Sequence, residues 1–125
     1  MLKPAAFIFG IFFLVAGIGG FFPALAPGGM LFGIFMIGPV HNTIHIASGA
    51  AALLCAMAGA GAARKYFQIF GVVYLLVAVL GFVYGNSPLL GMVEHNHADI
   101  WLHIAIAAVS LFLGFAGKSD TTTVT

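Results

Sequence analysis

The sequence predicts an all-α fold, a bundle of four transmembrane helices built from two parallel helical-hairpin repeats, and three observations lead there. First, the 125 residues are 62% hydrophobic and 6% charged, with a mean hydropathy of +1.17, whereas soluble domains carry about a quarter charged residues. Second, four apolar runs can be marked, roughly Ala5–Phe22, Pro39–Ala63, Tyr66–Tyr84 and Ala98–Gly117, each close to the ~20 residues that span a bilayer. They lack the alternating pattern of a membrane barrel, so the backbone must satisfy itself as helices. Third, the chain resembles itself. A shift of 61 residues aligns Ile8-Phe9-Gly10 with Ile69-Phe70-Gly71, Leu14 with Leu75 and Gly20-Phe21 with Gly81-Phe82. A shift of 58 aligns His45-Ile46-Ala47 with His103-Ile104-Ala105, Leu53 with Leu111, Ala58-Gly59 with Ala116-Gly117, and His41 with Asp99. The second hairpin has the shorter connection.

Helix 1 opens after Lys3. Its N-terminal charge, apolar core and Ala24-Leu25-Ala26 imitate a secretory signal, but the matching run at 66–84 marks it as one arm of a repeat. Between helices 1 and 2, residues 22–38 hold Pro23, Pro27, Gly28 and Gly29 and then MLFGIFMI. That piece is too short to span and too apolar for an exposed loop, so an interfacial or re-entrant segment is expected. Pro39 suits the first turn of helix 2, and Gly59, Gly61 and the Arg64-Lys65 pair mark its end. Helix 3 follows from Tyr66. Its connection to helix 4, NSPLLGMVEHNH, is the more polar of the two, and Asn96 with Asp99 three residues on has the form of a capping box. The last segment, KSDTTTVT at 118–125, reads as a polar, frayed tail. Residues 1–125 thus read as a single membrane domain.

Charge orients the bundle. Lys3, Arg64, Lys65 and Lys118 are all the basic residues, and alternating four spans puts them on one side. The positive-inside rule makes that side cytoplasmic, with both termini. All five histidines, with Glu94 and Asp99, then fall at the outer face. A net charge of +1 implies no nucleic acid or polyanionic partner. The lipid bilayer is the implied partner, and a homo-oligomer is left open. Cys55 is the single cysteine, so no intrachain disulfide forms.

The chemistry gathers in two stretches, HNTIHIASG at 41–49 and HNHADIWLH at 95–103. In each, two side chains spaced by four share one helix face: His41 with His45, and Asp99 with His103. A hairpin repeat returns to its starting side, so the copies are related by an axis along the membrane normal. Helix 2 then corresponds to helix 4. Ser48, Ala52, Ala56 and Gly59 below one pair, and Ala107, Ser110 and Gly114 below the other, predict close packing of these two helices.

Ionisable residues inside a membrane mark a functional site by default. His41, His45, Asp99 and His103 compose a four-coordinate transition-metal set, suited to zinc and less distinctively to copper or iron. Asn42 and Asn96 are candidates to orient ligands, and His95 and His97, ahead of helix 4, are expected at the mouth of the site or in solvent. Three other readings stay open. The cluster can be a hydrogen-bonded clasp with Asp99 accepting from the imidazoles. His45 and His103 can be axial ligands of a b-type haem, although close packing of helices 2 and 4 leaves little room for a porphyrin. A proton relay is the third, with only Ser48 and Ser110 to continue it inward. Met30, Met36 and Met92 suit Cu(I) but read as packing. No serine, cysteine or lysine nucleophile stands beside a histidine, so no catalytic residue is assigned and enzymatic activity is left open.

The HNxxH stretch with Gly49 four residues on, and NxADxxLH from Asn96 to His103, resemble the pattern of a family of small bacterial four-helix membrane proteins known only as a domain of unknown function. The likeness extends over nearly the whole chain, including Arg64-Lys65-Tyr66 and the Gly71–Gly81 helix. It implies four spans, a bacterial inner membrane and importance for the His, Asn and Asp positions, and it brings no activity. His95 and His97 fall outside the pattern.

Overall fold

The computed structural model describes residues 2–116. Its main elements are α1 (Leu2–Gly19), α2 (Pro39–Ala58), α3 (Ala60–Tyr84) and α4 (His97–Leu111), the last continued by a π-helical turn over Phe112–Ala116. All four helices, α4 taken with that turn, are long and apolar enough to cross a bilayer. The fold is a four-transmembrane-helix bundle. The 118–125 tail lies outside the described residues.

Two helix ends differ from expectation. The first run stops at Gly19 instead of Phe22, where the chain turns. The break between the second and third falls at Gly59, not in the Arg64-Lys65 region. Gly59 has φ 135°, a conformation that side-chain-bearing residues rarely adopt, and helical bonding resumes at once, with the Ala63 amide donating to the Gly59 carbonyl. Arg64 and Lys65 therefore ride on the first turns of α3. At 25 residues α3 is about 37 Å long, more than the ~30 Å of hydrocarbon, so its basic end can stand clear of the lipid. Arg64 there donates to the Gly114 carbonyl at the end of α4 (2.9 Å).

The helices pack as two hairpins, α1 along α2 and α3 along α4, joined mainly through α2 with α3 and α1 with α3. The close α2–α4 contact expected from the small-residue faces is not there; the two barely approach at backbone level. The reason lies in residue size. Small positions are matched within each hairpin: an added Cβ at Gly10 would run into Leu53, and one at Gly71 into Leu111. The faces of α2 and α4 instead meet large side chains from α1 and α3. Ala52 and Ala56 of α2 pack in one cluster with Leu2 of α1 and Phe67 of α3, and Ala107 of α4 packs with Phe13 and Tyr74. Phe13 and Tyr74 stack in the middle, 5.6 Å between ring centroids and 23° between planes. Since lipid is as apolar as these side chains, the association rests on packing contact and polar pairs.

The connections sit at the end of the bundle opposite Arg64. Instead of re-entering, residues 30–36 form a short antiparallel hairpin of β1 (Met30–Leu31) and β2 (Phe35–Met36). Leu31 and Ile37 are buried against Ala16 and Ala26. The 3–4 connection repeats this turn: Leu89 pairs with Val93, and Leu90 and Gly91 (φ 53° and 73°) match Phe32 and Gly33 (φ 55° and 72°). Asn96 ties the two connections together by donating to the Ile34 carbonyl (3.0 Å).

Candidate metal centre

Pro39 opens α2 with Gly38 as its cap, which puts His41 in the first turn and His45 one turn further in. Their rings lie 4.4 Å apart by centroid. His103, on the second turn of α4, reaches across to within 5.9 Å of His41. Aromatic residues back the two deeper imidazoles in parallel ways: Phe13 lies 5.6 Å from His45, and Tyr74 lies 5.5 Å from His103. One ring nitrogen from each of His41, His45 and His103 falls within 4.8 Å of the others. All three residues are buried, none more than 5% exposed. A tetrahedral ion with Zn–N of about 2.0–2.1 Å would set these atoms about 3.3 Å apart, so the rings must draw together to hold one.

Hydrogen bonding decides which atoms are free. His41 Nδ1 lies 2.8 Å from the Glu94 carbonyl. A carbonyl can only accept, so Nδ1 carries the proton and Nε2 keeps its lone pair. His45 Nδ1 is buried with no hydrogen-bond partner among the described residues. An unsatisfied buried polar atom costs about 1–3 kcal/mol, and a bound cation would relieve this one if the ring offers Nδ1.

The remaining predicted residues fall elsewhere. Asp99, expected as the fourth ligand, lies outside the imidazole group. It is the third helical residue of α4, and its carboxylate turns back to accept from the Asn96 amide (3.0 Å) while Asn96 Oδ1 accepts from the Asp99 amide (3.0 Å). The capping box read from the sequence is therefore present, and it engages the carboxylate that a clasp through Asp99 would turn to the imidazoles. Asn96 is engaged in the cap and in the Ile34 bond. Asn42 is buried but points at Gly20 of the 1–2 connection, away from the histidines. His95, expected at the mouth or in solvent, is 3% exposed. Its Nε2–H donates to the Ser87 carbonyl (2.8 Å), stapling the 3–4 connection. His97 is exposed, as expected.

A cavity of about 140 Å³ adjoins all three imidazoles, walled by Ile44, Phe70, Val73 and Tyr74 among others. It is smaller than the ~300–1,000 Å³ usual for cofactor pockets, and a porphyrin between His45 and His103 would also displace His41. Three imidazoles, with no fourth ligand beside them among the described residues, are a donor set that leaves one coordination position open. Two participants were missed from the sequence. Tyr74 falls opposite Phe13 under the 61-residue shift, so the sequence self-similarity carried a signal for it. Glu94 contributes its backbone carbonyl, for which side-chain chemistry gives no signal.

A family model described as Domain of unknown function (DUF4383) matches residues 3–116. No curated protein and no solved structure matches the chain.

Proposed function

The chain belongs to the DUF4383 family, and we propose that this four-helix integral membrane protein holds a transition-metal ion on His41, His45 and His103. The observation that carries this reading is the meeting of three buried imidazoles from two helices, with ligand atoms within 4.8 Å. The Glu94 carbonyl on His41 adds to it, because metal-bound imidazoles typically give their second N–H to such a partner. Zinc, copper and iron all accept imidazole, and zinc is the plainest fit to three neutral nitrogens with an open position. Asp99 serves the site indirectly, by fixing the start of the helix that carries His103. We place the histidine end outward and the Lys3, Arg64 and Lys65 end in the cytoplasm of a bacterial inner membrane, on the positive-inside rule. The equivalent pairs Phe13–His45 and Tyr74–His103, with the two matching turns, support descent from a duplicated hairpin.

Elemental analysis and a visible spectrum of the purified protein test the reading. Near-stoichiometric zinc, copper or iron without a Soret band is expected, with the metal lost in His45→Ala and His103→Ala. A Soret band abolished by those substitutions would replace the ion by haem. Metal-free protein whose thermal stability ignores added divalent ions would reduce the cluster to packing.

A further inference from the structure

The cavity beside the imidazoles bears on what the open position would receive. Its wall is almost entirely carbon, and among the described residues no aspartate, glutamate, lysine or arginine lines it. Ile44 on α2 and Val73 on α3 belong to that wall and are each 43% exposed. Both lie inside membrane-length helices, so the exposed rim between α2 and α3 faces lipid. An ion arriving this way would be stripped of water with only the Ser48 and Tyr74 hydroxyls and the imidazoles in the wall to replace it, which is costly. A neutral molecule meets no such barrier, and size sets the other limit: an apolar cavity of about 150 Å³ in another protein holds benzene, close to the 140 Å³ here.

Resting on the metal reading above, we propose that the cavity admits a small uncharged molecule, benzene-sized or smaller, from the bilayer between α2 and α3. The molecule presents a lone pair to the fourth coordination position of the ion held by His41, His45 and His103. The site thereby selects against hydrated anions, the usual occupants of an open position that faces water.

Cobalt(II) loaded onto the purified protein gives ligand-field bands that report the coordination sphere. Pyridine, neutral and benzene-sized, should shift those bands, and azide at the same concentration should not. Val73→Trp plugs the rim without touching an imidazole; it should keep the bands and weaken the pyridine response at least tenfold. Should Val73→Trp itself lose the bands, Ile44→Trp on the opposite helix decides by the same measure. A response to azide alone, or plugged variants that bind pyridine like the unmodified protein, would overturn this inference and leave the metal reading standing. Protein that shows no cobalt bands at all overturns the metal reading, and this inference with it.

Discussion

His41 shows how a single backbone carbonyl can prepare a side chain. With Nδ1–H committed to Glu94, the lone pair of Nε2 is left for a ligand at no further cost in ring orientation. Substituting His41, His45 or His103 by alanine removes one donor of three, so metal retention should collapse, whereas Asp99→Ala should retain the ion; metal analysis after gel filtration distinguishes them. His95→Ala loosens the loop that presents Glu94, and as an outer-shell change it should weaken affinity about 10 to 100-fold, while the exposed His97→Ala should leave it unaltered. Competition titration with a chromogenic chelator reads both. Protonated imidazole has no lone pair to give, so retention should also fall on strong acidification. An ion still held at pH 2 would count against imidazole ligation.

At the scale of elements, the two connections and the α4 cap hold the site in place. Asn96→Ala removes the side-chain acceptor of the capping box and the Ile34 tie, which should cost about 0.5–2 kcal/mol and lower the thermal midpoint in detergent. Gly33 and Gly91 sit at φ 72° and 73° with open space around them. Valine at either therefore meets backbone strain alone, on the order of 1–2 kcal/mol, and similar losses at both would accord with equivalent turns. Gly61 is the contrast. It lies in α3 with nothing within 4 Å of an added Cβ, so Gly61→Ala should be neutral or stabilise by up to about 1 kcal/mol.

For the whole molecule, polarity is the decisive property. Arg64, Lys65 and the start of α1 share one end of the bundle, and the connections with the histidines share the other. In a Cys55→Ala background, cysteine at Gly28 or Asn86, both exposed, should react from outside intact cells with an impermeant maleimide. Cysteine at the exposed Gly61 should react only after lysis. The reverse pattern would place the histidine end in the cytoplasm. The same arrangement, with wide apolar faces on every helix, leaves the bundle covered by lipid and its polar chemistry confined to one end.

Composition, run length and the lack of a barrel's alternation by themselves determined the four spans, because apolar runs of this kind satisfy their backbone in lipid as helices. The spacing of four in His41–His45 and the α4 cap at Asn96–Asp99 were legible too, since helix geometry and capping are local rules that act within a few residues. The break at Gly59 was harder to place, as three glycine and basic signals competed and only the backbone conformation chose among them. What the tertiary structure alone decided is which residues meet. Small-residue faces on α2 and α4 looked like one interface, yet each is filled by aromatic side chains from α1 and α3, because packing volume depends on every helix at once. Asp99 read equally well as ligand and as cap, and in the structure its carboxylate accepts from the Asn96 amide three residues away, a local pairing that helix geometry favours. The Glu94 carbonyl had no sequence signature, since any residue there supplies the same oxygen and only the path of the 3–4 connection brings it to His41.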